Sequence, residues 1–124
     1  MVLVDTSVWI RALVYNSPYK PELDRLLGLD QVLGHELVFG EIFIGDRGGR
    51  RHMLNFYEQM QYAKPVPHKD VVDLVRQRRL HGRGAGWIDI QLLASAIAAG
   101  AELWTADPRL RSIAEEHGIA YATA

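Results

Sequence analysis

Helix and strand candidates alternate from one end of this 124-residue chain to the other, which predicts an α/β fold on a parallel sheet. Short apolar runs at residues 2–5 and 102–105 suit buried strands, and the stretches after them carry helical spacing. Same-direction strands need a crossover between them, and the helices supply it. The first run leads into a helix through Val8, Trp9, Ala12 and Leu13. Residues 21–29 form a second helix with Leu23, Leu26 and Leu27 on one side, followed by a short strand at 31–33. The span 35–45 is nearly all apolar, and its length favours a buried helix. A helix at 51–62, an extended segment at 63–67 pinned by two prolines, and an amphipathic helix at 68–81 come next. Gly82, Gly84 and Gly86 make a mobile connection to a buried helix at 88–99, which Gly100 caps. A helix at 108–117 and a last short strand at 119–121 follow the strand at 102–105.

A mass of 14.0 kDa with 48% hydrophobic and 23% charged residues fits one globular domain over residues 1–124. No linker, internal repeat or low-complexity segment divides it. With no cysteine there is no disulfide framework, cysteine nucleophile or thiolate metal site, and the chain suits a reducing cytoplasm. No apolar run approaches the roughly 20 residues that cross a bilayer, so no membrane role is expected. A net charge of -1 argues against nonspecific grip on nucleic acid as the main activity. The charge is nevertheless uneven, since residues 46–83 hold nine basic against four acidic side chains.

Several familiar sites are missing. There is no phosphate-binding Gly-x4-Gly-Lys-Ser/Thr loop, no Gly-x-Ser-x-Gly elbow and no helical His-Glu-x2-His. The five histidines share no i, i+4 pairing, so they read as solvated or capping residues. Four carboxylates stand out instead. Asp5 and Asp107 follow strands, where ligands bind at the carboxyl edge of a parallel sheet, although each also suits a helix N-cap. Glu41 caps nothing and emerges among Leu37, Val38 and Ile44, while Asp89 opens a helix and points toward its apolar side. If the four converge, each pair at about 5 Å repels by roughly 3 kcal/mol at an effective dielectric near 20. With no lysine or arginine next to any of them, a hard divalent cation such as Mg²⁺ or Mn²⁺ is the economical counterion. Such a site suits phosphodiester hydrolysis by metal-activated water.

The segments Met1–Ile10, Val38–Glu41, Gly84–Asp89 and Leu103–Asp107 together resemble the signature of PIN-domain ribonucleases, and most closely the VapC-type toxins of bacterial toxin–antitoxin pairs. The resemblance implies a three-layer α/β/α sandwich with a mostly parallel sheet of four or five strands. It implies a Mg²⁺- or Mn²⁺-dependent endoribonuclease neutralised by a cognate VapB-like antitoxin. Asp5, Glu41, Asp89 and Asp107 match the metal-binding acids, and Thr6, Ser7 and Thr105 match residues that orient them. Arg76, Arg78, Arg79, Arg83 and Trp87 are candidate RNA contacts, a solvated helix face and a core aromatic being the alternative. Trp9, Phe39, Phe43 and Phe56 exceed what a small sheet needs, which predicts a homodimer surface or an antitoxin groove. Two other functions stay open: a noncatalytic RNA- or protein-binding module whose acids cap helices, and an aspartate-based phosphoryl-transfer domain. The second is disfavoured because position 7 is Ser where a phosphatase needs an acid.

Overall fold

The fold was analysed in a computed structural model that describes residues 1–14 and 16–123. Among these, β1 (Val2–Val4) is central in a parallel sheet of order β2-β1-β3, flanked by β2 (Val32–Leu33) and β3 (Glu102–Trp104). Val2 and Leu3 pair with Val32 and Leu33 on one side, and Val2, Leu3 and Val4 pair with Glu102, Leu103 and Trp104 on the other. Every residue of β1 is buried. Successive side chains of a strand face opposite sides, so the sheet is covered on both faces and the fold has three layers.

The helices are α1 (Thr6–Ala12), α2 (Tyr19–Gly28), α3 (Glu36–Ile44), α4 (Arg51–Glu58), α5 (His68–Arg78), α6 (Trp87–Ala99) and α7 (Pro108–Glu116). The apolar α6 lies against β1 and β3, with α5 and α7 packed beside it. A second group joins α1 to α2 and α3, and α3 to α4. Leu3, Val4, Val8, Val38, Ile42, Leu92, Leu93 and Leu103 form the middle of the core. Burying each such side chain contributes about 1.5–3 kcal/mol.

The sheet is smaller than the four or five strands expected. The segments at 63–67 and 119–121 contribute one bridge each, Gly34 with Tyr62 and Leu103 with Ala120. Pro65 and Pro67 lack the N–H that would extend the first ladder. The same segment shortens α4, which ends at Glu58 instead of 62. Gln61 and Ala63 hydrogen-bond Gly34 through the backbone, and that long-range pairing replaces a last helical turn. Likewise α5 stops at Arg78, because Arg79 adopts a left-handed conformation with φ 53°. Trp9, at 3% exposure, packs in the core and also lines an apolar groove with Leu13, Leu23, Leu27, Met53 and Phe56.

One histidine is fully buried instead of solvated. His35 Nδ1 accepts the Leu37 N–H at 3.1 Å and so caps α3, which makes Nε2–H the donor to Ser95 Oγ at 2.9 Å. Burial lowers its pKa, with a smaller opposing effect of Glu36. The unfolded chain therefore binds this proton more readily than the folded one. The stability is fully present above the unfolded value near pH ~6.5 and is lost as pH falls below it, by at most about 1.4 kcal/mol per pH unit. Thermal denaturation between pH 7.5 and 5 should show this loss, and His35→Asn, which can still cap, should flatten the slope. An equal slope in both proteins would exclude His35 as its source.

Candidate functional site

Asp5 follows the carboxyl end of β1, and Asp107 follows β3 by three residues. Parallel pairing of the two strands therefore sets both acids at the same edge of the sheet. Asp5 is buried and sits at the N-cap position of α1, yet its side chain makes no capping hydrogen bond. Its Oδ2 accepts from Ser7 Oγ and Thr105 Oγ1 instead, each at 2.7 Å. Both hydroxyls are held in turn by backbone amides, Ser7 Oγ by Ala106 N–H and Thr105 Oγ1 by Asp107 N–H, each at 3.0 Å. The loop after β3 is thus tied to the Asp5 carboxylate and to Asp107 by one network.

Glu41 reaches the same edge from α3, where its Oε1 accepts from Thr6 Oγ1 at 2.7 Å. Asp89, in the first turn of α6, accepts the Gly86 N–H through Oδ2 at 3.1 Å. Asp107 caps α7 through Oδ1, which accepts the Arg109 N–H at 2.9 Å. The capping expectation therefore holds for Asp107, and in part for Asp89, but not for the Asp5 side chain.

The electrostatics join the four acids. Burial raises the Asp89 carboxyl above its ordinary pKa range, the Gly86 amide opposes this, and the charges of Asp5, Asp107 and Glu41 raise it further. Asp89 thus feels the other three carboxylates and no basic side chain. None of the four has a lysine or arginine within ion-pair distance among the described residues. Among the described residues no three acidic or histidine groups form a tight ligand shell. Each carboxylate is fixed through one oxygen, while the other oxygen has no protein donor among the described residues.

The RNA-contact candidates divide. Arg76, Arg78 and Arg79 are exposed near the end of α5 without ion-pair partners among the described residues. Arg83 is engaged: its Nη1 donates to Glu116 Oε1 at 2.8 Å, and Nη2 donates to Oε2. This bridge pins the glycine connection to α7. Gly84 adjoins the contact with φ +87°, a conformation that favours glycine, and a Cβ there would lie 2.7 Å from Arg109 Cδ and force that side chain to move. The connection leads directly into α6 and Asp89. Arg83→Glu should slow activity of the acidic site roughly two- to fivefold, in keeping with an exposed pair, and the added exchange Glu116→Arg should restore it. Failure of the double exchange to rescue would mean that position 83 serves otherwise.

Trp87 is 43% exposed, so the core-aromatic alternative does not hold for it. Its ring meets that of His68 edge-on at 5.4 Å, a pairing across 19 residues that the sequence reading missed and that neither segment signals. A groove of about 740 Å³ lies elsewhere, between α1 and α2, lined by Leu13, Val14, Lys20 and Pro21 among others.

A parallel sheet with acids gathered past its carboxyl edge defines a class, and the sequence assigns it: residues 2–116 match the PIN domain, and the chain belongs to the PIN-domain family. Its particular relatives there are ribonucleases. Ribonuclease VapC32 of Mycobacterium tuberculosis, in the strains CDC 1551 / Oshkosh and H37Rv, is 42% identical over 123 residues, covering 98% of this chain and 97% of that protein. The crystal structure of PAE2754 from Pyrobaculum aerophilum shares the fold, with a TM-score of 0.59 at 18% identity, over 90% of this chain and 77% of that one.

Proposed function

We propose that this chain is an endoribonuclease of the VapC type, the toxin of a toxin–antitoxin pair, and that Asp5, Glu41, Asp89 and Asp107 hold a divalent cation, Mg²⁺ or Mn²⁺. The observation that carries the reading is the donor set: four carboxylates at one edge, each anchored through one oxygen and none neutralised by a basic side chain among the described residues. All-oxygen donors with high negative charge suit a hard cation. A bound divalent ion supplies a more acidic water and neutralises charge on the phosphodiester.

The remaining work falls to the chain. Ser7 and Thr105 aim Asp5, and Thr6 aims Glu41, so their hydroxyls act by orienting the carboxylates. Arg76, Arg78 and Arg79 offer positive charge to flanking phosphates, which positions RNA without selecting sequence. An antitoxin fits the apolar groove where Leu13, Leu23, Leu27, Met53 and Phe56 meet. A homodimer is supported by Phe43 and Ile44 at the end of α3, which are 58% and 88% exposed. No described helix is long and apolar enough to cross a membrane, and a cytoplasmic site of action agrees with RNA as substrate.

Cleavage of a cellular RNA pool by purified protein tests the reading, comparing EDTA, Mg²⁺ and Mn²⁺. Cuts at discrete sites that vanish with EDTA and return with either ion are expected. Undiminished cleavage in EDTA would remove the cation, and no cleavage under any condition would favour the noncatalytic module. Light scattering should report twice the 14.0 kDa chain mass; a monomer at micromolar concentration would refute the dimer.

A further inference from the structure

Three tryptophans divide sharply by environment. Trp9 and Trp104 are 3% and 4% exposed, whereas Trp87 turns almost half of its surface to solvent. A large exposed indole gains nothing for the core, yet this one is not loose. It is the first residue of α6, two positions before Asp89, and the His68 ring buttresses it at 5.4 Å with an interplanar angle of 62°. His68 opens α5, where Lys69, Arg76, Arg78 and Arg79 are exposed and form no ion pair among the described residues, against the two acids Asp70 and Asp73 of the same helix. The pair thus offers a half-exposed aromatic face within the first turn of the helix that carries an acid of the proposed site, beside a helix with more basic than acidic side chains.

From this placement we infer that Trp87, buttressed by His68, is a stacking subsite for one unpaired nucleobase of the RNA substrate. A base presents a flat π-face of any sequence to such a platform, and the cations of α5 complement the phosphates that accompany it. Bases in a duplex keep their faces stacked on each other, so the subsite selects single-stranded segments, loops or ends over paired RNA. The inference rests on the ribonuclease reading and adds to it the side chain on which one base of the RNA stacks. Charge complementarity favours RNA over a protein partner here, since an apolar partner surface would leave the neighbouring cations unmatched.

The burial of Trp9 and Trp104 supplies the test, because quenching of tryptophan fluorescence by a stacked base reports on Trp87. Full-length protein carrying Asp5→Asn, to suppress cleavage, is titrated in Mg²⁺ with single-stranded oligoadenylate and with a blunt duplex of equal length. The single strand should quench in a saturable manner and bind at least about tenfold more tightly than the duplex. Adding Trp87→Ala should abolish the quenching and weaken single-strand binding about tenfold. Trp87→Phe should retain most of the affinity, and His68→Ala should lose part of it. Circular dichroism of each variant confirms folding, and the Phe variant keeps the test valid should the Ala variant unfold. Equal affinity with and without Trp87, in a protein whose parent cleaves RNA, would overturn the subsite and leave the nuclease intact. Trp87→Ala that dissolves a dimer without changing RNA affinity would also overturn it, assigning the face to a second copy. Absence of both RNA binding and cleavage would remove the nuclease reading and the subsite together.

Discussion

Asp5→Asn is expected to lower RNA cleavage at least about 100-fold and to leave the fold in place. The magnitude follows by comparison: losing a group that merely orients a metal ligand typically costs about 10–100-fold, so losing the charge of the proposed ligand itself should cost more. The fold survives because the amide oxygen of Asn can still accept from Ser7 and Thr105, whose hydroxyls hold Oδ2 at 2.7 Å. One negative charge also leaves an edge where Asp89 feels three others. The thermal midpoint should therefore equal or exceed that of the parent. Thr105→Val separates orientation from charge, since it keeps the shape and removes one donor to Asp5, and about 10–100-fold of activity should go with it. Cleavage by Asp5→Asn within threefold of wild type would exclude Asp5 from the reaction.

Tyr57→Ala is the most damaging change expected for stability, at about 3–5 kcal/mol. Tyr57 is fully buried, with its ring edge-on to Trp9 at 5.1 Å and to Tyr62 at 5.7 Å. Its hydroxyl accepts the His35 N–H at 2.8 Å, at the point where β2 turns into α3. One side chain thus joins α4 to α1, to the edge segment and to the cap of the helix that carries Glu41. Tyr57→Phe keeps the ring and orphans the buried amide, for a loss of about 1–3 kcal/mol. Urea denaturation resolves both values. A loss below about 1 kcal/mol for the Ala variant would mean that the surrounding aromatics collapse into the space.

The helices were legible because their periodicities are long, and the two strands that matter to the site because each is an apolar run followed by an Asp. Glu41 was legible for a physical reason: a carboxylate in an apolar stretch that caps nothing needs another purpose. What the sequence hid depends on distant partners. The end of α4 is decided by Gly34 pairing with the backbone of Gln61 and Ala63, and no local signal marks it. The Arg83–Glu116 bridge and the His68–Trp87 pair join residues 33 and 19 apart on separate elements. Of the two readings open to a histidine, solvated or capping, His35 meets the second by capping α3, while its burial was hidden because it comes from Ser95 on α6 and Tyr57 on α4.

Crystals of the protein soaked in Mn²⁺ and measured at an X-ray energy where manganese scatters anomalously test the central claim most directly. An anomalous peak among the carboxylates of Asp5, Glu41, Asp89 and Asp107, lost in Asp5→Asn crystals, is the predicted result. Full occupancy at another place, with the four carboxylates bare in protein that cleaves RNA, would contradict it.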